Sequence, residues 1–347
     1  CDQLTELTTR LVERRGERTE AFTQGVRQRT ILLVTLVGTE IERIVVWNNP
    51  LNRLSHQFPN QRAYLYDNLP REYKRSLKDC ITIAWHLSPR LAVGFYARFQ
   101  TPSLRTRLAR FILAEPSRLY DVPDAHVFVA TPENVAANIP QVAQLLYWEA
   151  TDPPHALNLL KGCFHSHPAT TTYALRVINS FTEHTVLYYV PQLVQALKFE
   201  LHHQSALALF LLRRALINHN RIGHQFFWYL KAELHDTRVT ERYGVLLEAF
   251  LNGCENYRNE FFNEVCFQNE LVQIAREIKE LPTRDEQRAH LASRLAALKC
   301  PAEMSVPFDS RCRFSHPIPT AGNVFSSKKK PLLLVLKNID ELGEDIY

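Results

Sequence analysis

The residues of this chain whose types and spacing could do chemistry are a few histidine pairs, one acidic run and a lysine cluster. His165-Ser-His167 and His202-His203 place imidazoles side by side, as a metal site would. No Cys, Asp or Glu joins either pair at ligand spacing, and adjacent side chains diverge on a helix, so inter-helix turns and solvated edges explain them. Asp124-Ala-His126 sets a carboxylate two residues from an imidazole and reads as a helix-side pair. Asp340-Glu-Leu-Gly-Glu-Asp345 is a run rather than a convergent ligand set, and reads as an acidic turn between strands. Lys328, Lys329 and Lys330 could touch anionic lipid headgroups at about 1 kcal/mol each; the plainer reading is a solvated lead-in to a strand. Arg213 and Arg214 are read as exposed charges on a helix. His224, beside Gly223 and the aromatic run Phe226-Phe-Trp228, reads as a hydrogen-bonded helix-packing histidine, with pH sensing as the other use of such a group. Nowhere do a nucleophile, a base and an orienting group assemble, so the expected site list is empty: catalytic none, cofactor-binding none, metal none.

These residues must be positioned by helices. Ser88-Pro89, Thr101-Pro102, Thr131-Pro132 and Asp152-Pro153-Pro154 each place a polar cap before proline at the first helical position. Thr283-Arg-Asp-Glu286 has capping-box spacing ahead of Leu291, Leu295 and Leu298. Leu187, Val190, Val194 and Leu197 draw one apolar stripe, and Tyr243, Leu247, Phe250 and Cys254 draw another. Between about Asp152 and Leu216, short helices alternate with brief breaks at Ser166-His-Pro168 and His202-His-Gln204, the pattern of helix pairs stacked into a solenoid. From Cys300-Pro301 the texture changes. Pro301, Pro307, Pro317 and Pro319 interrupt any helix, a loop-like stretch runs to Ser327, and Leu332-Leu-Leu-Val-Leu-Lys337 reads as one buried strand.

Composition agrees. Among 347 residues, 46% are hydrophobic, and ten glycines stand against nineteen prolines, which favours helices with sharp stops over a β-rich fold. The formal charge of +5, from 41 basic and 36 acidic residues, is too balanced for a polyanion-coating protein, so no nucleic-acid partner is expected. Seven scattered cysteines without a C-x-x-C suggest neither a disulfide framework nor zinc, and fit a reducing, cytoplasmic compartment. The apolar run Thr30–Gly38 is far short of the roughly 20 residues that cross a bilayer. The opening Cys1-Asp-Gln-Leu carries no initiator Met, and the chain reads as a fragment of something longer.

Three blocks carry a specific resemblance: Tyr189–Glu200 (YVPQLVQALKFE), Phe210–Asn218 (FLLRRALIN) and Arg221–Glu233 (RIGHQFFWYLKAE). Together they closely resemble the helical accessory domain shared by phosphatidylinositol 3- and 4-kinases. The resemblance spans roughly Thr39 to the C-terminus. Upstream, Glu40–Pro50, Ser88–Ala92, Asp121–Thr131 and Leu146–Pro154 look like the alpha-type 4-kinases; downstream, Arg221–His224, Arg242–Phe250 and Ser326–Leu334 look more like class I 3-kinases. The upstream blocks have no 3-kinase counterpart, which favours the 4-kinase.

The resemblance implies an all-α fold: an α-solenoid of HEAT-like antiparallel helix pairs, followed by the first strands of a kinase N-lobe. Its expected divisions are an N-terminal helical region over 1–75, the accessory domain over 76–300, and a linker with the truncated start of the catalytic domain over 301–347. It implies a parent enzyme that transfers the ATP γ-phosphate to phosphatidylinositol, most simply at the 4-position, with magnesium neutralising the phosphates. The phosphate-binding loop, lysine, catalytic loop and metal-binding aspartate of such kinases all follow the strand at Leu332, so this segment is expected to be non-catalytic alone. Asp124-Ala-His126 lacks the Asn that follows the Asp-x-His of the family's catalytic loop. Expected partners are the kinase domain in cis, regulatory or recruiting proteins, and a phosphatidylinositol membrane reached through the parent, peripheral to the plasma membrane for a 4-kinase alpha. The alternatives are a 3-kinase parent, or a stand-alone helical binding module, against which the Leu332 strand argues because it needs a sheet to join.

Overall fold

Polar caps followed by proline do start the helices, as their spacing predicts. In the computed structural model, which describes residues 20–48, 50–51, 76–164, 167–339 and 346, Ser88, Thr101, Thr131 and Asp152 are N-caps with proline in the first turn. Thr283 and Glu286 form the reciprocal capping box. The chain divides into two units, Cys1–Thr151 and Asp152–Tyr347. The described residues are mostly helical, with a small antiparallel sheet region at the C-terminal end.

In the first unit, α1 (Glu20–Asn48) buries Ile31, Leu32 and Val34 and packs against α2 (Leu77–Leu87). α3 (Pro89–Phe99) and α4 (Pro102–Ala114) complete this bundle. Its centre is aromatic: Trp85 of α2 stacks on Phe111 of α4 at 5.6 Å, and the Arg118 guanidinium lies over the indole at 5.2 Å. Short helical turns then run from Pro116 to Tyr147.

The second unit holds α5 (Pro153–Asn158), α6 (Pro168–Asn179), α7 (Glu183–Ala196), α8 (Ala206–Ile217), α9 (His224–Glu233), α10 (Thr240–Gly253), α11 (Tyr257–Glu280) and α12 (Arg284–Ala297). The stripe buried along α7 is Val186, Val190, Leu193, Val194 and Leu197, stepping by four, three, one and three; Leu187 is only half-buried. Along α10 it is Tyr243, Leu246, Phe250 and Cys254, with Leu247 at the edge. Three of the four expected positions of each stripe are buried, and only Leu187 and Leu247 give way to the adjacent Val186 and Leu246. Two residues of α10 finish α7: the Tyr243 hydroxyl donates to the Val194 carbonyl at 2.7 Å, and Arg242 donates to the Leu197 carbonyl at 2.6 Å. They add side-chain donors to carbonyls at the end of α7 that also accept backbone N–H groups.

A π-helical turn, His219–Gly223, joins α8 to α9, and here glycine is required by space. A Cβ on Gly223 would meet the Ala215 carbonyl oxygen at 2.8 Å and the Phe250 ring at 2.9 Å.

Two expectations for the C-terminal end are corrected. The stretch expected to be loop already contains strands β1 (Met304–Val306) and β2 (Asp309–Pro317), an antiparallel hairpin turned at Pro307-Phe308. Its prolines sit at the turn and at the strand end, where a missing N–H breaks no ladder. The apolar run from Leu332 is two strands rather than one. After β3 (Asn323–Val324), β4 (Leu332–Leu333) pairs with β3, and β5 (Leu336–Asn338) pairs with β2. A run apolar at every position offers both faces to a core, so it can serve two packing surfaces in succession. Val324, Leu332 and Leu334 pack with Ile274, Ile278, Leu291 and Leu295 of α11 and α12, while Leu336 packs with Met304, Val306 and Phe314.

Candidate functional site: the junction of helices and sheet

The apolar positions of α11 recur at Phe261, Phe267, Leu271, Ile274 and Ile278, and Glu264 falls on the same stripe. A carboxylate there must go into the core, and Glu264 is only 3% exposed. A buried charge needs donors. The Trp228 indole of α9 donates its N–H to Glu264 Oε2 at 2.9 Å, and His224 Nε2 stands 3.2 Å from the same oxygen. The histidine approach lacks hydrogen-bond geometry, and Nδ1 of the ring has no partner among the described residues. The expectation of a hydrogen-bonded packing histidine at 224 is thus half right: the ring is buried against Phe261, with ring centres 6.1 Å apart, but its approach to Glu264 is not a hydrogen bond. Phe227 stacks on Phe261 at 4.5 Å and closes the cluster.

From this cluster α11 continues to the sheet. Phe267 meets Phe314 of β2 with centres 5.3 Å apart, and Phe314 is fully buried. Around them Arg313 pairs with Glu303 at 2.5 Å and lies 3.8 Å from Glu260 of α11. Lys330, in the left-handed backbone region at φ 47°, turns its ammonium back to the C-terminal end of α11. It donates to the carbonyls of Lys279 at 3.0 Å and Leu281 at 3.2 Å, where the helix dipole is negative. The three lysines are therefore not one patch: Lys328 and Lys329 are exposed in the turn, and Lys330 ties the β3–β4 hairpin to the helix.

Other residues singled out by type do not converge. Asp124 is exposed on a 3-10 turn while His126 is buried, its Nδ1 2.8 Å from the Pro123 carbonyl, so the two face different surroundings. His202 and His203 are exposed in a turn. His165, Ser166 and the run Asp340–Asp345 lie outside the described residues. Arg213 is exposed on α8, whereas Arg214 is half-buried over Phe210 at 5.8 Å. Among the described residues, no three His, Cys, Asp or Glu side chains gather as a metal would require. No described helix is long and apolar enough to cross a membrane. Glu264 and Lys330 were missed as structural anchors; an acid on an apolar stripe was the available signal for the first, and nothing local marks the second.

This arrangement can hold a sheet rigidly on a helix. Residues 127–263 match the accessory domain (PIK domain) of the phosphoinositide 3-kinase family. Phosphatidylinositol 3-kinase 2 of Dictyostelium discoideum is 34% identical over 197 residues, 57% of this chain and 11% of that protein. Human phosphatidylinositol 4-phosphate 3-kinase C2 domain-containing subunit beta is 32% identical over 225 residues, 63% of this chain and 14% of the relative. Phosphatidylinositol 4-kinase alpha 1 of Arabidopsis thaliana is 28% identical over 224 residues, 64% of this chain and 10% of the relative. The chain thus spans about a tenth of the length of relatives it matches. It carries the accessory domain of the phosphatidylinositol 3-/4-kinase family.

Proposed function

We propose that this chain is the scaffold segment of a lipid kinase, its helices stacked as HEAT-like pairs that seat the opening sheet of the kinase N-lobe. On this reading residues 76–300 are the accessory domain and 301–347 begin the catalytic domain. The observation that carries it is the burial of Phe314 of β2 against Phe267 of α11, which makes the sheet an extension of the helical core. The parent enzyme transfers the ATP γ-phosphate to phosphatidylinositol at a membrane surface, with ATP and magnesium held by residues beyond this segment. Regulatory or recruiting proteins bring it there.

The 4-position of the ring is the proposed acceptor, supported by the 4-kinase-like blocks upstream of Pro154. A 3-kinase parent is the second reading, favoured by the 34% identity to the Dictyostelium 3-kinase against 28% to the Arabidopsis 4-kinase. The test is to assay the full-length parent with phosphatidylinositol and radiolabelled ATP and to separate the deacylated products. A 4-phosphate supports the first reading and a 3-phosphate the second. Loss of all phosphorylated lipid from a folded full-length protein overturns both.

A further inference from the structure

Helices α6 and α8 leave a groove between them of about 630 Å³. Its lining positions recur at i, i+3, i+4 and i+7 on each helix, from Thr172 to Asn179 on α6 and from Ala206 to Arg213 on α8. That is the spacing of one helical face. Two helices therefore present a packing seam with no third element in it among the described residues. Two of its apolar side chains stand open to solvent: Leu209 is 55% exposed and Ile217 63% exposed.

The charges along the groove have one sign. Arg176, Arg213 and Arg214 line it and no acidic residue does. Their placement is built rather than free. The Arg214 guanidinium lies over Phe210 at 5.8 Å and donates across the groove to the Asn179 carbonyl at 3.4 Å, while Arg176 lies over Tyr173 at 5.2 Å. A groove whose walls are already fixed leaves less ordering entropy to be lost on binding.

We infer that this groove receives an amphipathic helix of a partner protein, with an apolar stripe facing Leu209 and Ile217 and acidic flanks facing the arginines. The wall geometry excludes strand addition, which needs an exposed sheet edge, and the single aromatic lining side chain, Phe210, does not make the aromatic-lined trough that polyproline segments occupy. A lipid surface is disfavoured by shape, because a bilayer is engaged by apolar side chains that protrude and here they line a concavity. The seam on α8 is 12 residues long, or about 18 Å, enough for roughly three turns of a guest helix. The inference gives a site and a chemistry to the recruiting proteins of the scaffold reading and rests on it in that respect alone.

The experiment uses the 347-residue chain and a labelled synthetic peptide of about 15 residues, with leucines at i, i+4 and i+7 and glutamates on both flanks. A lysine-flanked peptide and vesicles of phosphatidylserine and phosphatidylcholine are the comparators. Expected are saturable binding of the acidic peptide at about 10 µM or below, weakening with salt, and slowed hydrogen exchange confined to α6 and α8. Arg213→Glu combined with Ile217→Ser, both at exposed positions, should keep the circular dichroism spectrum and weaken binding at least about tenfold. Equal binding of the lysine-flanked peptide, no saturation by about 200 µM, or binding to vesicles alone each overturns the inference. The kinase assay of the parent is a separate readout, so failure here is distinguishable from failure of the lipid-kinase reading.

Discussion

Replacing Trp228 with phenylalanine tests the junction most directly, because it removes one N–H from a buried carboxylate and little else. The indole is 9% exposed and its N–H donates to Glu264 Oε2 at 2.9 Å, on a residue itself 3% exposed. Losing a hydrogen bond to a buried charged group removes about 1.5–3 kcal/mol. The smaller ring leaves a void worth about 1 kcal/mol more. The sum is about 2.5–4 kcal/mol, against about 3–5 kcal/mol or more for Trp228→Ala. In a unit the size of residues 152–347, each kcal/mol moves the melting temperature by about 2–4 °C, so Trp228→Phe should lower it by about 5–16 °C. Urea unfolding followed by circular dichroism gives the free energy directly. In a Glu264→Gln background the acceptor is neutral, and the same substitution should cost about 1 kcal/mol less. A loss below about 0.5 kcal/mol in both backgrounds would refute the argument, since it would mean that the carboxylate is solvated without the indole.

Other consequences are open to the same assays. Gly223→Ala should destabilise by about 1–3 kcal/mol because the new methyl meets the Ala215 carbonyl at 2.8 Å, whereas Gly244→Ala in α10, with nothing within 4 Å, should gain about 0.5–1 kcal/mol; equal effects would show that close helix approach is not the reason for Gly223. Lys330→Met removes the cation at the end of α11 and should lower stability by about 0.5–2 kcal/mol in urea titrations, with high salt narrowing the difference from wild type. Acid should weaken the fold through four carboxylates. The Lys198 and Gln195 hydrogen bonds hold Glu233 below its ordinary 4.5, His290 does the same for Glu277, Arg311 holds down Asp309, and Arg238 brings Asp236 to about 2. Their folded values are depressed, so the stability they contribute is present above the ordinary 3.8 to 4.5 and is lost as pH falls through the folded values towards about 2. Lys198→Met should make that acid limb shallower; an unchanged melting profile would count against the Lys198–Glu233 pair.

What could be read from the sequence was whatever depends on neighbours within a turn or two of helix. The helix starts at Ser88, Thr101, Thr131 and Asp152 rest on a proline in the first turn and those at Thr131 and Thr283 on a capping side chain, all local to the start, so their spacing was sufficient. The helical period and register held in α7 and α10, and only at Leu187 and Leu247 did the neighbouring Val186 and Leu246 go inward instead, because which of two adjacent apolar residues is buried depends on the facing helix. The family resemblance was likewise written in the contiguous blocks Tyr189–Glu233, inside the segment that matches the accessory domain.

Tertiary structure alone decided the rest. An apolar run that satisfies both faces of a strand cannot announce where it leaves one sheet for another, so the break between Leu333 and Leu336 depended on the two cores it feeds. Lys330 could not be distinguished from Lys328 and Lys329 by type, since the carbonyls it caps belong to residues about 50 positions earlier in the chain. The same holds for Glu264, whose burial is tolerated because Trp228 and His224 arrive from another helix. Local chemistry fixes where helices begin; only the packing of distant segments decides which charges they can bury.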